Sequence, residues 1–246
     1  MSVNMTQILC KREFASFFAT PVAYVFIAIF LIMSGVFTFY MGNFYERGQA
    51  DLLPFFNFHP WLYLFLVPAM AMRAWSEERK SGTIELLMTL PVTTMQAMLA
   101  KFLAGWAILG LSLVMTFPLW LTVNYLGHPD NGVILAAYIG SWLMSGALLA
   151  IGICMSALSK SQVVAFILAV VVSFLFVLAG TDIVLEAFKG WLPSVLLDTL
   201  ASLSFLTHFD NMAKGVIGLK DVGYFAILIT AWLYAGLLII EQRKAD

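Results

Sequence analysis

Long apolar runs separated by short polar breaks organise this chain, and six of the runs reach membrane-spanning length. They cover residues 22–41, 52–72, 98–126, 133–158, 163–180 and 222–240, where about 20 mostly apolar residues suffice for a helix to cross a bilayer. The pattern predicts an all-α membrane protein with six transmembrane helices. The second run contains Pro54, Pro60 and Pro68. Proline is tolerated in a spanning helix where neighbours satisfy the carbonyls it frees. This span is therefore expected to be kinked or to start late, and Pro118 is expected to bend the third. Thr93-x-x-Gln96 and Ser159-x-x-Gln162 both have the form of a capping box ahead of an apolar run, marking the starts of the third and fifth spans.

Two further segments are amphipathic without being long enough to cross. Cys10, Phe14, Phe17 and Phe18 repeat at helical spacing beside Lys11 and Arg12, the pattern of an N-terminal helix lying in the membrane interface. Residues 183–206 are apolar but broken by Lys189-Gly190 and Pro193, which predicts short re-entrant or interfacial helices between spans 5 and 6 on the outer side. No internal repeat or linker divides residues 1–246, so a single domain is expected.

Composition makes the solvent lipid. The chain is 62% hydrophobic and 11% charged, with a mean hydropathy of +0.93, against about 45–50% apolar and about 25% charged in a soluble domain. A net charge of −1 and the lack of a basic patch give no reason to expect nucleic acid as a partner. Cys10 and Cys154 are far apart and imply neither a disulfide nor a metal site. The first run is too long for the core of a cleavable signal and lacks a small-residue cleavage site, so it reads as an uncleaved span. With both termini inside, Lys11, Arg12, Arg73, Arg79, Lys80, Lys101, Lys160, Arg243 and Lys244 fall on the cytoplasmic side. Arg47, Lys189, Lys214 and Lys220 fall outside, and this imbalance is the positive-inside bias.

The most polar segment lies between the second and third spans. Glu77-Glu78-Arg79-Lys80 forms a charged turn that ends at Gly82, where the backbone is free to reverse direction. Beyond it, Ile84, Leu87 and Met88 share one helical face and Glu85 lies off it, until Pro91 blocks continuation. An apolar face framed by charges is what a helix seated in a partner's groove requires. Glu77, Glu78, Gly82, Thr83, Ile84, Glu85, Leu87 and Met88 are therefore the candidate docking residues, with Glu78 and Glu85 fixing register. The competing reading is a solvated loop, which is what charge runs usually are.

Chemistry of other kinds is missing from the sequence. There is no phosphate-cradling G-x-x-x-x-G-K-[ST], no H-E-x-x-H and no nucleophile elbow, so an enzyme is not expected and no cofactor is implied. His59, His128 and His208 read as isolated residues near the outer surface, and Lys101 as a snorkelling side chain near the inner end of the third span. Asp182 and Glu186 fall at the outer end of the fifth. A proton-coupled carrier is expected to bury at least one carboxylate in its spans, and none is evident. Ala136-x-x-x-Gly140, Ser141-x-x-x-Ser145 and Gly152-x-x-x-Ser156 in the fourth span suit either close helix packing or a channel lining.

Residues 73–92 resemble the cytoplasmic loop of ABC-2-type transporter permeases, with its pattern E-x-[RK]-x-G-T-[IL]-E-L-L-x-T-x-P running from Glu78 to Pro91. Lys11-Arg12-Glu13-Phe14 with Phe17-Phe18 and Pro21 resembles the opening of these permeases, and Ser156-Ala157-Leu158-Ser159-Lys160-Ser161-Gln162 their fourth-to-fifth turn. Asp51-Leu52, Pro54-Phe55-Phe56, Pro60-Trp61 and Pro68-Ala69 are most similar to the gliding-motility (GldF-like) subgroup, although permeases of nitrous-oxide-reductase maturation share the architecture.

The resemblance implies a multi-pass permease half in the bacterial inner membrane. It would pair with a second permease half, the same chain or a related one, and recruit two copies of a separate ABC ATPase onto a coupling helix within 75–92. It would act as an exporter or a force-transmitting complex. A static membrane scaffold and an ion-coupled carrier are the alternatives. Nothing in the residues names a substrate.

Overall fold

The computed structural model describes residues 2–83, 92–181, 184–186, 189 and 193–242, without the side chains of residues 2–4, Ser194 and Asp198. Ile84, Glu85, Leu87, Met88 and Pro91 of the docking segment, together with Asp182, Ile183, Gly190, Arg243 and Lys244, lie outside the described residues. Every described element is a helix. In chain order these are α1 (Ser2–Ala19), α2 (Val22–Val36, continued by a π-helical turn, Phe37–Met41), α3 (Leu53–Asn57), α4 (His59–Ala71) and α5 (Arg73–Ser81). There follow α6 (Thr94–Val114), α7 (Phe117–Leu126), α8 (Asn131–Leu158), α9 (Gln162–Leu178), α10 (Ser194–Ser202), α11 (Phe205–Ala213) and α12 (Leu219–Gln242).

Among the described residues four helical stretches are long and apolar enough to cross a membrane: Val22–Met41, Thr94–Leu126, Asn131–Leu158 and Leu219–Gln242. The sequence pattern predicts six, and proline and length account for the difference. Residues 52–72 are divided at Phe58 into α3 and α4, each with a proline in its first turn, and α4 is 13 residues long. At about 1.5 Å per residue that is about 20 Å, short of a hydrocarbon core of about 30 Å. Pro68 inside α4 lacks the N–H that would bond the Leu64 carbonyl. The fifth expected span is α9, apolar but 17 residues long.

Pro118 interrupts the third span as expected. α6 ends at Val114 and α7 begins at Phe117, and the Thr116 hydroxyl donates to the Leu113 carbonyl at 2.6 Å in the break. The box at Thr93 forms in both directions: Gln96 N donates to Thr93 Oγ1 at 3.2 Å and Thr93 N to Gln96 Oε1 at 3.1 Å. The box expected at Ser159 does not form. Ser159 and Ser161 are both extended, so Gln162 becomes the first helical residue rather than the third. The Ser159 hydroxyl instead accepts from Ser161 N at 3.0 Å.

α8 is the hub, packed by α4, α5, α6, α9, α11 and α12. Its most apolar window is 72% buried, against 22% for α12 and 28% for α2, so those two leave most of their surface uncovered by the rest of the described chain. The small residues of α8 serve packing: a Cβ on Gly152 would lie 2.5 Å from Ala71 Cβ of α4, and one on Gly140 2.8 Å from Met212 Cβ of α11.

Two of the three histidines are buried and hydrogen-bonded rather than isolated as expected. His59 Nδ1 lies 2.7 Å from Ser141 Oγ, which is also 2.9 Å from the Tyr63 hydroxyl, so α4 is pinned to α8. His208 of α11 donates from Nε2 to the Ser202 carbonyl at 3.0 Å, and its Nδ1 lies 2.6 Å from Asp221 Oδ1 in the first turn of α12. Asp221 is 4% exposed, so the chain does bury a carboxylate. The pair ties α10, α11 and α12 into one corner.

Candidate functional site

The polar helix α5 follows α4 after the single residue Met72, whose side chain supplies no cap. The first backbone N–H groups of a helix need acceptors from elsewhere. Ser156, near the end of α8, provides one: its Oγ accepts from Trp75 N at 3.0 Å and Ser76 N at 3.1 Å. The same hydroxyl donates to the Met72 carbonyl at 2.9 Å, so one side chain closes the junction of α4 and α5. Arg79, one turn on, donates to the Ala157 carbonyl. The loop motif and the motif beginning at Ser156 are therefore two sides of one contact.

The opposite side of α5 meets α1 and α6 through charge. Lys101 of α6 is 8% exposed, and its Nζ lies 2.7 Å from Glu78 Oε1 and 3.4 Å from Glu13 Oε2 of α1. The ammonium also stands 5.1 Å from the ring centroid of Trp75, which is fully buried. Buried cations are stable only with such partners. Lys101 thus joins three helices, where a snorkelling residue was expected.

An open cleft of about 430 Å³ runs along this cluster, lined by Arg12, Glu13, Arg73, Glu77, Glu78 and Lys101 among others. Glu77 accepts from Arg73 Nε at 2.9 Å across one helical turn. Burial alone would raise the Glu13 carboxyl, but Lys101 and Arg12 outweigh it and hold it below the usual carboxylate range. Glu77 is held low chiefly by its hydrogen bond from Arg73. Among the described residues no group of three or more His, Cys, Asp and Glu side chains could hold a metal ion.

Of the expected docking residues, Glu77 is exposed on the rim and Glu78 turns inward to Lys101. Gly82 ends α5 at φ +72°, the left-handed conformation that favours glycine. Thr83 is exposed, its hydroxyl 2.8 Å from that of Ser81. Sequence reasoning missed Ser156, Lys101 and Glu13 as members of this site. Ser156 and Glu13 lie inside quoted motifs, and Lys101 had only its unusual position in an apolar run as a signal.

An all-helical chain with several membrane-length apolar helices and a polar helix anchored at one end is a multi-pass membrane protein. Residues 7–241 match the family model described as "ABC-2 family transporter protein". The chain belongs to that family, whose permeases are typically non-enzymatic membrane subunits that normally work with ABC ATPase partners. Among curated proteins, no relative matches the chain.

Proposed function

We propose that this chain is the permease half of an ATP-driven transporter, with six spans, both termini cytoplasmic and residues 75–92 receiving a separate ATPase. Two ATPase copies and a second permease half complete the assembly, in the bacterial inner membrane. It works as an exporter or a force-transmitting complex of the gliding-motility kind. The observation that carries this reading is the anchoring of α5. Ser156, the Ala157 carbonyl and Lys101 fix the helix that leads into Gly82 to α8, α6 and α1, so a push delivered beyond Gly82 reaches the spans.

The test is purification of the tagged chain from its native membranes. An accompanying nucleotide-hydrolysing subunit, with reporters cytoplasmic at Ser81 and external at Gly127, supports the reading. A chain that purifies alone and transports nothing in response to ATP is a static scaffold. Asp221 gives the ion-coupled carrier a specific candidate, yet its carboxylate is tied to His208 at the end of a span, as a structural pair would be. Transport that survives collapse of the ion gradients excludes the carrier.

A further inference from the structure

The Lys101 cluster is unbalanced in a way that its three helices make informative. One ammonium serves two carboxylates from different helices, close to Glu78 at 2.7 Å and longer to Glu13 at 3.4 Å. Two buried polar atoms around it have no hydrogen-bond partner among the described residues: Glu78 Oε2, an acceptor, and Trp75 Nε1, a donor. Both belong to α5, three residues apart. Unmatched buried polar atoms are costly, and here a donor and an acceptor are left over together beside a cleft with room for side chains to move. The charges therefore admit a second arrangement. In it Nζ closes on Glu13 and the freed Glu78 carboxylate accepts from another donor, for which the Trp75 indole N–H is placed on the same helix.

We propose that Lys101 is a positioning residue that passes movement of α5 to α1 and α6 by exchanging its closer partner from Glu78 to Glu13. The inference rests on the docking function proposed above. Glu78 stands four residues before Gly82, so a push on the segment beyond Gly82 moves this carboxylate first. A contact with two discrete arrangements, each biased by a different helix, is the physical element that coupling requires. Arg12 and Arg73, on the same cleft, already hold Glu13 and Glu77, which leaves Lys101 as the cation shared between α1 and α5.

The experiment uses the permease–ATPase complex purified from native membranes, with spin labels at exposed Lys80 of α5 and exposed Ala15 of α1. ATP is expected to change the separation of the labels in the otherwise unaltered complex. Lys101→Met is expected to retain the ATPase, abolish that change and lower permease-dependent hydrolysis about tenfold, a typical coupling effect. Lys101→Arg is expected to restore both, which a side chain needed only to fill space would not require. Should Lys101→Met fail to insert, Glu13→Gln removes the second station of the exchange, together with the charge of the neighbouring Arg12 pair, and is expected to show the same uncoupling with the ATPase retained. An unaltered complex with no ATPase overturns the docking function itself. Retained ATPase with full ATP-dependent movement in Lys101→Met, or in Glu13→Gln where that is the variant obtained, overturns the exchange alone.

Discussion

Ser156 Oγ lies 3.0 Å from the backbone nitrogen of Trp75, 81 residues earlier in the chain, and does for α5 what an N-cap serine does for its own helix. Removing it with Ser156→Ala leaves two buried N–H groups and the Met72 carbonyl without this partner, at a cost of about 1–2 kcal/mol. Backbone amides of residues 73–81 are expected to exchange hydrogen faster than in the parent while those of α12 are unchanged. Equal protection of α5 in both proteins would show that the helix is held by other means.

Gly82 and Gly152 are needed for different reasons, and alanine separates them. Among the described residues a Cβ at Gly82 meets nothing within 4 Å, so Gly82→Ala is expected to bear the strain of φ +72°, about 1 kcal/mol. A Cβ at Gly152 falls 2.5 Å from Ala71 Cβ, and α4 must move away from α8 at a cost of about 1–3 kcal/mol. Thermal unfolding in detergent should place Gly152→Ala below Gly82→Ala, with Gly82→Asn nearest the parent because asparagine tolerates this conformation. The reverse order would contradict the close helix contact.

The contributions of Glu13 and Glu77 should be insensitive to pH until these carboxylates protonate. Glu13 and Glu77 are held below their ordinary range, so their stabilisation is complete above the unfolded value of about 4.3 and is lost as pH falls through the lower folded values. Labels at exposed Ala15 of α1 and exposed Met95 of α6 should keep their separation from pH 7 down to about 4.3 and spread only below it. Separation that already begins near neutrality would mean that other groups hold α1 in place.

Local signals in the sequence were legible and long-range ones were not. The Thr93–Gln96 box, the left-handed Gly82 and the break ahead of Pro118 each depend on neighbours within four residues, and the structure contains all three. Ser156 and Lys101 acquire their roles from partners brought near by folding, so a serine in a turn motif and a lysine in an apolar run looked ordinary. The failed box at Ser159 shows the limit of local form: two extended serines shift the helix start and spoil the spacing. Proline spacing likewise predicted a kinked or late-starting span over residues 52–72, and the longer helix does start late, at His59, but a separate short helix ahead of Phe58 was not foreseen.

If residues beyond Gly82 seat an ATPase, as proposed above, Leu87→Asp reveals it most directly. The measurement is the amount of ATPase that purifies with the membrane-inserted chain, together with its ATP-driven hydrolysis. A charge in the middle of the apolar face that the sequence spacing predicts for Ile84, Leu87 and Met88 should leave insertion normal, release the ATPase and abolish permease-dependent hydrolysis, and Glu78→Lys with Glu85→Lys should do the same. Unchanged ATPase recovery and hydrolysis in both variants would contradict the account and leave the segment a solvated loop.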